Sequence, residues 1–172
     1  MFLFDQQMFA MLMRGNHAAL GGGGSGVNAI GASVHLNANQ LIPASTFTPI
    51  SWTGGTAVDF DTSGFFSGAA PTIFTAPFAG LYLASCSINW DSSIAGGTRE
   101  VTFAKNGGIR NGISAFQANV SAVDEADSLT CLFNLSVGDT LAVQVLQGSA
   151  GNLNALGGAA NNQTFFSVLG FH

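Results

Sequence analysis

The chain has 172 residues, 47% of them hydrophobic and only 8% charged, and its formal net charge at pH 7 is −5. A typical soluble domain has about 25% charged residues, so a monomer with this composition would expose large apolar patches. No segment approaches the roughly 20 apolar residues of a membrane-spanning helix, and the four Lys and Arg residues are too scattered to bind phosphates. We therefore expect no membrane span and no nucleic-acid binding, but a surface covered by partner proteins.

Residues 1–20 differ in composition from the rest of the chain. They contain Met and Phe side chains at an imperfect helical spacing. The apolar run has no basic residue before it and is interrupted by Asp5, which argues against a secretory signal. We interpret the segment as an anchor peptide that fills a groove on a larger partner; a short helix packed on its own domain is the alternative. The anchor side chains are Phe2, Phe4, Met8, Phe9, Met11 and Leu12.

Residues 21–33 (GGGGSGVNAIGAS) are typical of a glycine-rich linker, and residues 34–172 form the predicted head domain. In the head, short apolar runs alternate with turn residues, and no helical period interrupts them. Asn106 and Gly107 are typical of a tight hairpin turn, and Gly138 is available for positive φ in a second turn. The sequence therefore predicts an all-β antiparallel sandwich. Its ten strands are predicted near residues 33–38, 46–52, 56–60, 71–76, 80–90, 98–105, 112–120, 127–135, 139–147 and 163–171.

Several predicted strands are apolar on both faces. Alternate side chains of a strand point to opposite faces, and in strand 80–90 one face has Leu81 and Leu83 while the other has Tyr82 and Ile88. The last strand, FFSVLGF, has the same property. Antiparallel sheets usually bury one face and expose the other. We therefore expect a second cover outside the sheet, which a closed homo-oligomer would supply.

Side chains suited to catalysis or metal binding are sparse. Cys86 and Cys131 lie within apolar strands, which favours two buried thiols, with a cross-strand disulfide as the alternative. The histidines, His17, His35 and His172, have no spacing typical of a catalytic triad, a Cys-His pair or a zinc site. The GGGGSG segment lacks the Lys-Ser/Thr of a phosphate-binding loop. We therefore expect a protein that is not an enzyme and has no resident cofactor, calcium excepted.

Four motifs occur in order along the head: FTAPFAGLYLASCSINW, VTFAKNGG, LSVGDTLAVQV and the terminal FFSVLGFH. Together, over roughly residues 70–172, they resemble the globular head of the complement recognition protein and its tumour-necrosis-factor-like relatives. The resemblance implies a ten-stranded jelly roll that assembles as a trimer. The earlier half of the head looks more like heads on bacteriophage fibres and virion surface proteins. No collagen-like repeat precedes the head, so the complement role is not implied.

The resemblance and the two-sided strands together predict where three copies meet. The family packs its trimer around the sheet that contains the first, third, sixth and last major strands, and these include the two-sided strands. We therefore expect a trimer interface on that sheet. Its predicted residues are Leu81, Leu83, Leu132, Phe165, Leu169 and Phe171.

The connections between predicted strands divide into a short set and a long set. Alternate connections of an antiparallel sandwich lie at opposite ends, so the short turns, such as LSVGD, are expected at one end. The long connections, near residues 91–98, 121–127 and 148–162, are expected at the other end, opposite the point where the N-terminal segment joins. Loops displayed by a rigid scaffold often bind partners.

Four of the nine acidic residues are expected at the long-loop end, and three interpretations of them remain open. They keep an apolar head soluble, they contact a receptor or glycan with Trp90 as a stacking platform, or they bind Ca²⁺. The predicted receptor-contact residues are Trp90, Asp91, Asn152 and Asn154, and the calcium candidates are Asp91, Asp124, Glu125 and Asp127. Asp59 and Asp61 are interpreted as charges that protect an edge strand.

These observations favour a structural or adhesive virion protein of a phage. It is expected to be a homotrimeric head on the virion surface, held on a capsid or tail protein by residues 1–20, that mediates host attachment or decorates the particle. Its further partner would be a receptor or glycan of the host cell. A secreted, extracellular calcium-dependent lectin or adhesin of cellular origin is the alternative.

Overall fold

The computed structural model describes residues 29–53, 57–108, 111–117, 124–158 and 164–171. The predicted anchor, residues 1–20, lies outside these ranges. Within them every regular element is a β-strand, and no helix there is long and apolar enough to cross a membrane. The twelve strands are β1 (Ala29–His35), β2 (Gln40–Ile42), β3 (Thr48–Pro49), β4 (Val58–Asp61), β5 (Phe74–Thr75), β6 (Gly80–Trp90), β7 (Thr98–Lys105), β8 (Asn111–Gln117), β9 (Glu125–Leu135), β10 (Thr140–Gln147), β11 (Leu153–Ala155) and β12 (Phe165–Phe171).

The strands form two sheets. The seven-stranded sheet has the order β2-β11-β6-β12-β1-β4, and β9 also pairs with β6. The five-stranded sheet has the order β3-β10-β7-β8, and β5 also pairs with β10. All of these strand pairs are antiparallel. The all-β antiparallel sandwich predicted from the sequence is therefore confirmed.

Alternate side chains of the central strands fill the space between the two sheets. In β6 the inward side chains include Tyr82 and Trp90, which are fully buried, and Phe166 of β12 is buried beside them. From the opposite sheet Phe103 reaches across, and its ring centroid lies 5.7 Å from that of Phe166. Removal of these aromatic surfaces from water is the main force that holds the sheets together.

The two ends of the sandwich differ, as the loop lengths predicted. At one end, the base, β6 begins at Gly80, β12 ends at Phe171 and the chain enters β1 at Ala29. The short turns are also at the base, where Asn106 and Gly138 have φ values of 51° and 83°, the left-handed conformation that tight turns require. The connections β6–β7 and β10–β11 lie at the opposite, distal end, where β9 also begins, with Glu125 opposite Trp90.

The motif Pro-x-x-Gly-x-Tyr at the start of β6 has a direct structural reason. A Cβ atom on Gly80 would lie 2.5 Å from the carbonyl oxygen of Phe171, so only glycine allows these two strands to approach. The hydroxyl of Tyr82 donates a hydrogen bond to the carbonyl oxygen of Phe78 at 2.7 Å. The tyrosine thus ties β6 to the turn that precedes it.

The structure corrects some sequence-based boundaries. β1 begins at Ala29, so the end of the predicted linker belongs to a strand. Two short strands that we did not predict, Gln40–Ile42 and Leu153–Ala155, pair with each other and raise the number of strands above the ten expected. By contrast, β6 and β7 have the predicted bounds.

The two cysteines lie on neighbouring strands and are both free thiols. In the register of β6 and β9, Cys86 lies opposite Leu129 and Cys131 lies opposite Ala84, so the two sulfur atoms are not directly paired. Burial raises the pKa of both thiols. Since the thiolate is the reactive form, both side chains are expected to be inert at neutral pH.

Candidate functional site

The outer face of the seven-stranded sheet is the surface that we predicted to need a second cover. The strand register sets β1, β12, β6 and β9 side by side, so their outward side chains form rows across the sheet. One row, the apolar row, consists of Gly31, Leu169, Leu83 and Leu132. The next row towards the distal end, the hydroxyl row, consists of Ser33, Ser167, Ser85 and Thr130.

The apolar row exposes large side chains to solvent. Leu132 is 62% exposed and Leu83 is 36% exposed, while Leu81, one row nearer the base, is 49% exposed. The remaining predicted interface residues on this face are Leu169, which is only 3% exposed, and the half-buried Phe165 and Phe171. The structure therefore gathers all six predicted residues on one face, although Leu169 has little surface left to offer a partner.

The polar side chains of this face bond to one another. In the hydroxyl row the Oγ atoms of Ser33 and Ser167 lie 2.9 Å apart, and Ser85 Oγ lies 2.9 Å from Thr130 Oγ1. The sequence analysis missed this row, although Ser and Thr at alternate positions of the strands were its visible signal. One row further towards the distal end, the hydroxyl of Ser128 donates to that of Ser87 at 3.1 Å.

A histidine and an aspartate contact each other at the edge of the same face. Nδ1 of His35 lies 2.7 Å from Oδ1 of Asp59, and the hydroxyl of Ser33 donates to Asp59 Oδ2 at 3.1 Å. The serine thus bonds to the carboxylate and not to the imidazole, which is not the arrangement that activates a nucleophile in a catalytic triad. β4 is an edge strand as predicted, but Asp61 is not a free protective charge, since it accepts bonds from the backbone N–H of Phe65 and Phe66.

At the distal end, Trp90 is not the exposed stacking platform that we predicted. Its side chain is fully buried, and the guanidinium carbon of Arg99 lies 5.8 Å from the centre of its rings, a cation–π contact. Arg99 is itself 1% exposed and donates hydrogen bonds to the carbonyl oxygens of Ile94 and Gly96. Burial lowers the pKa of Arg99. These two residues hold the β6–β7 loop in place, and a partner molecule does not reach Trp90.

Asp91 and Asn154, also predicted to contact a receptor, bond mainly to each other. Oδ2 of Asp91 accepts a hydrogen bond from Nδ2 of Asn154 at 2.7 Å, and Oδ1 accepts one from the backbone N–H of Ser93 at 3.0 Å. Partial burial raises the pKa of Asp91, but the hydrogen bonds from Ser93 and Asn154 outweigh burial and hold the pKa below its ordinary value. Of the four predicted contact residues, Asn152 alone remains exposed.

The four predicted calcium ligands do not form a metal site. Asp127 is 3% exposed, and the hydroxyl of Ser114 donates to its Oδ1 between β8 and β9, whereas Asp124 is exposed. The carboxylate of Asp91 already accepts hydrogen bonds from Asn154 and Ser93. Within the part of the chain that the structure describes, no group of three or more His, Cys, Asp and Glu residues is arranged to hold a metal ion.

The burial of Asp127 predicts a dependence of stability on pH. Burial raises the pKa of Asp127, against hydrogen bonds from Ser114 and the backbone, and Glu100 adds a repulsion that also raises it. A carboxyl whose pKa is raised by folding weakens the folded state as pH rises above its unfolded pKa, about 3.9. We therefore expect Asp127→Asn to become more stable relative to the natural protein as pH rises from 3.5 to 7, so that its free energy of unfolding minus that of the natural protein increases.

Urea denaturation at several pH values measures this difference. Asp124→Asn is the matched control. Because the side chain of Asp124 is exposed, this substitution is expected to change the free energy of unfolding little over the same pH range. A relative stability of Asp127→Asn that is flat or falls with pH would contradict the assignment of Asp127 as a buried, destabilised carboxylate.

The sequence has no match among family models or curated proteins, but the fold has counterparts among solved structures. No protein-family model matches the chain, and no curated protein does. Matching chains of solved structures number 254. One is the crystal structure of murine APRIL at pH 5.0, with a TM-score of 0.56 and 14% sequence identity over 81% of this chain and 98% of that chain. APRIL has a tumour-necrosis-factor-family jelly roll, and the present chain therefore has a jelly-roll fold of that type.

Proposed function

We propose that the protein is the homotrimeric head of a fibre or surface-decoration protein of a phage virion. In this role it is not an enzyme; it attaches the particle to a host cell or decorates the particle surface. Residues 1–20 hold the head on a capsid or tail protein. The outer face of the seven-stranded sheet is the observation that carries this proposal, because that face has the properties of a subunit interface.

The outer face can be buried at low cost in polar desolvation. A buried polar group without a partner is costly, but the hydroxyl row and the neighbouring Ser87–Ser128 pair already have partners within the chain. His35 and Asp59 satisfy each other in the same way. Full burial of an exposed leucine side chain is worth about 1.5–3 kcal/mol, and Leu83, Leu81 and Leu132, which are 36%, 49% and 62% exposed, would each gain the corresponding part of it. A second copy of the chain therefore gains apolar burial on this face and leaves few polar groups unpaired.

The position of the base supports a tethered head. The chain enters β1 at the base, where Ala29 lies opposite Phe171. Contact through the apolar row, which is near the base, would place the three copies of Ala29 on the same side of the trimer. The distal loops would then point away from the particle, which suits a surface that meets a host cell.

The calcium-dependent lectin has no comparable support. Its calcium ligands were to be the distal carboxylates, and these are occupied by hydrogen bonds within the chain or lie apart. A low charged fraction together with an exposed leucine face favours an obligate assembly over a freely diffusing monomer.

Substitution within the apolar row is expected to prevent assembly. Leu83→Asp and Leu132→Asp would each place a charge in the subunit interface, and we expect the protein to sediment as a monomer or to aggregate. Leu41→Asp is the control, since Leu41 is 57% exposed but lies on β2, away from the row. Sedimentation velocity distinguishes the outcomes; a trimer that persists in both row variants would show that another surface joins the copies.

Deletion of residues 1–20 tests the attachment of the head to a particle. We expect the shortened protein to remain folded by circular dichroism but to be missing from purified virions. Virions that lack the head are expected to adsorb poorly to cells if it mediates attachment, and normally but with reduced physical stability if it decorates the particle. Retention of the shortened head on virions would refute the anchor, and unchanged adsorption together with unchanged stability would refute both roles.

A further inference from the structure

The polar side chains on the outer face of the seven-stranded sheet form two hydrogen-bonded clusters, one on each side of the face. The first, the acceptor cluster, lies on β4, β1 and β12, and the second, the donor cluster, lies on β6 and β9. The names refer to the hydrogen-bonding capacity that each cluster has left over. The acceptor cluster consists of Asp59, Ser33, His35 and Ser167, and the donor cluster consists of Ser85, Thr130, Ser87 and Ser128.

In the acceptor cluster both hydroxyl hydrogens are already used. A serine hydroxyl has one hydrogen to donate and two lone pairs that accept. Because Ser33 donates its hydrogen to Oδ2 of Asp59 at 3.1 Å, it accepts in its 2.9 Å contact with Ser167, and Ser167 is the donor there. Nδ1 of His35 lies 2.7 Å from Oδ1 of Asp59 and holds a hydrogen, since an ionised carboxylate only accepts. The oxygens of Ser167 and Asp59 can still accept further hydrogen bonds.

In the donor cluster two hydroxyl hydrogens are left over. Oγ of Ser85 and Oγ1 of Thr130 lie 2.9 Å apart, and this contact uses only one of their two hydrogens. One row nearer the distal end, Ser87 accepts a hydrogen bond from Ser128 at 3.1 Å and keeps its own hydrogen. Among the residues that the structure describes, no other group accepts either of these two hydrogens.

The spare acceptor and the spare donor lie at the same height on the sheet. Ser167 is opposite Ser85 in the register of β12 and β6, and Ser85 is opposite Thr130 in that of β6 and β9. Thr130 is exposed, and Ser85 and Ser167 are half-buried, so a neighbouring molecule can reach all three. A rotation about an axis parallel to the strands leaves height unchanged, so the hydroxyl row of one copy would meet the hydroxyl row of the next.

We propose that the spare hydrogen of the Ser85–Thr130 pair bonds to Oγ of Ser167 in the neighbouring copy, an inference that rests on the proposed homotrimer. The occupant of this side of the face is a second copy of the chain, because the face contains both a donor side and the acceptor side that complements it. Each copy then turns its donor cluster to one neighbour and its acceptor cluster to the other. Such a head-to-tail contact closes into a ring.

The role of this bond is to align the copies along the strands. The hydrophobic contacts of the apolar row are non-directional and allow one copy to slide past another. A hydrogen bond between two hydroxyls, in contrast, requires its oxygens to lie about 2.7–2.8 Å apart. A shifted copy would leave a buried donor and a buried acceptor without partners, which is costly.

Three variants of the full-length protein form a thermodynamic cycle that tests the bond. The donor-side variant is Ser85→Ala with Thr130→Val, the acceptor-side variant is Ser167→Ala, and the third combines all three substitutions. Each of the first two leaves one partner buried alone, so the concentration at which half of the trimer dissociates is expected to rise at least about tenfold. The combined variant loses both partners and is expected to dissociate close to the concentration of the natural protein, since removal of both costs little.

Fluorescence-detected sedimentation velocity over a dilution series measures these concentrations. Thr75→Val is the matched control, because it removes an exposed hydroxyl of β5 in the opposite sheet, and it is expected to cause no change. Circular dichroism confirms that each variant is folded.

Two results would overturn the proposal and leave the homotrimer intact: single-side variants that dissociate like the natural protein, or a combined variant in which the two losses simply add. A natural protein that sediments as one chain is a different result, because it would refute the homotrimer itself.

Discussion

The structure depends on one constraint: β6, β9 and β12 have apolar side chains on both faces, and a single chain covers only one of them. The inner face, with Tyr82 and Phe166, is buried between the sheets. The outer face leaves Leu83 and Leu132 in contact with water. A chain with 8% charged residues has few means of solvating such a face, so association with further copies is the simplest way to cover it.

Several of the few charged residues of this protein stabilise its own loops. At the base, backbone N–H of Ser136 and the side chains of Asn106 and Lys105 bond to Asp139 and hold its pKa at about 2. At the distal end, Asp91 fastens the β6–β7 loop to β11. Asp139 and Asp91 are thus structural residues of their loops, and the hydrogen bonds that Asp91 accepts from Asn154 and Ser93 leave it occupied within the chain.

The sequence predicted the long strands well and the short ones poorly, for a physical reason. β6 and β7 have sustained apolar alternation and turn residues at both ends, so local signals define them. Gln40–Ile42 and Leu153–Ala155 are only three residues long and exist because they pair with each other across the fold. The alternation of side chains along β6 places Trp90 on the same face as Tyr82. Only the assembled sandwich shows that this face is the core. The hydroxyl row likewise depends on a register between strands distant in sequence.

The mass of the full-length protein in solution tests the central claim most directly. Sedimentation equilibrium over a wide range of concentrations is expected to give three times the 17.6 kDa chain mass, with no monomer at micromolar concentration. A soluble, folded species with the mass of one chain at the highest concentrations would contradict the account, since the leucines of the outer face would then be stable in water without a partner.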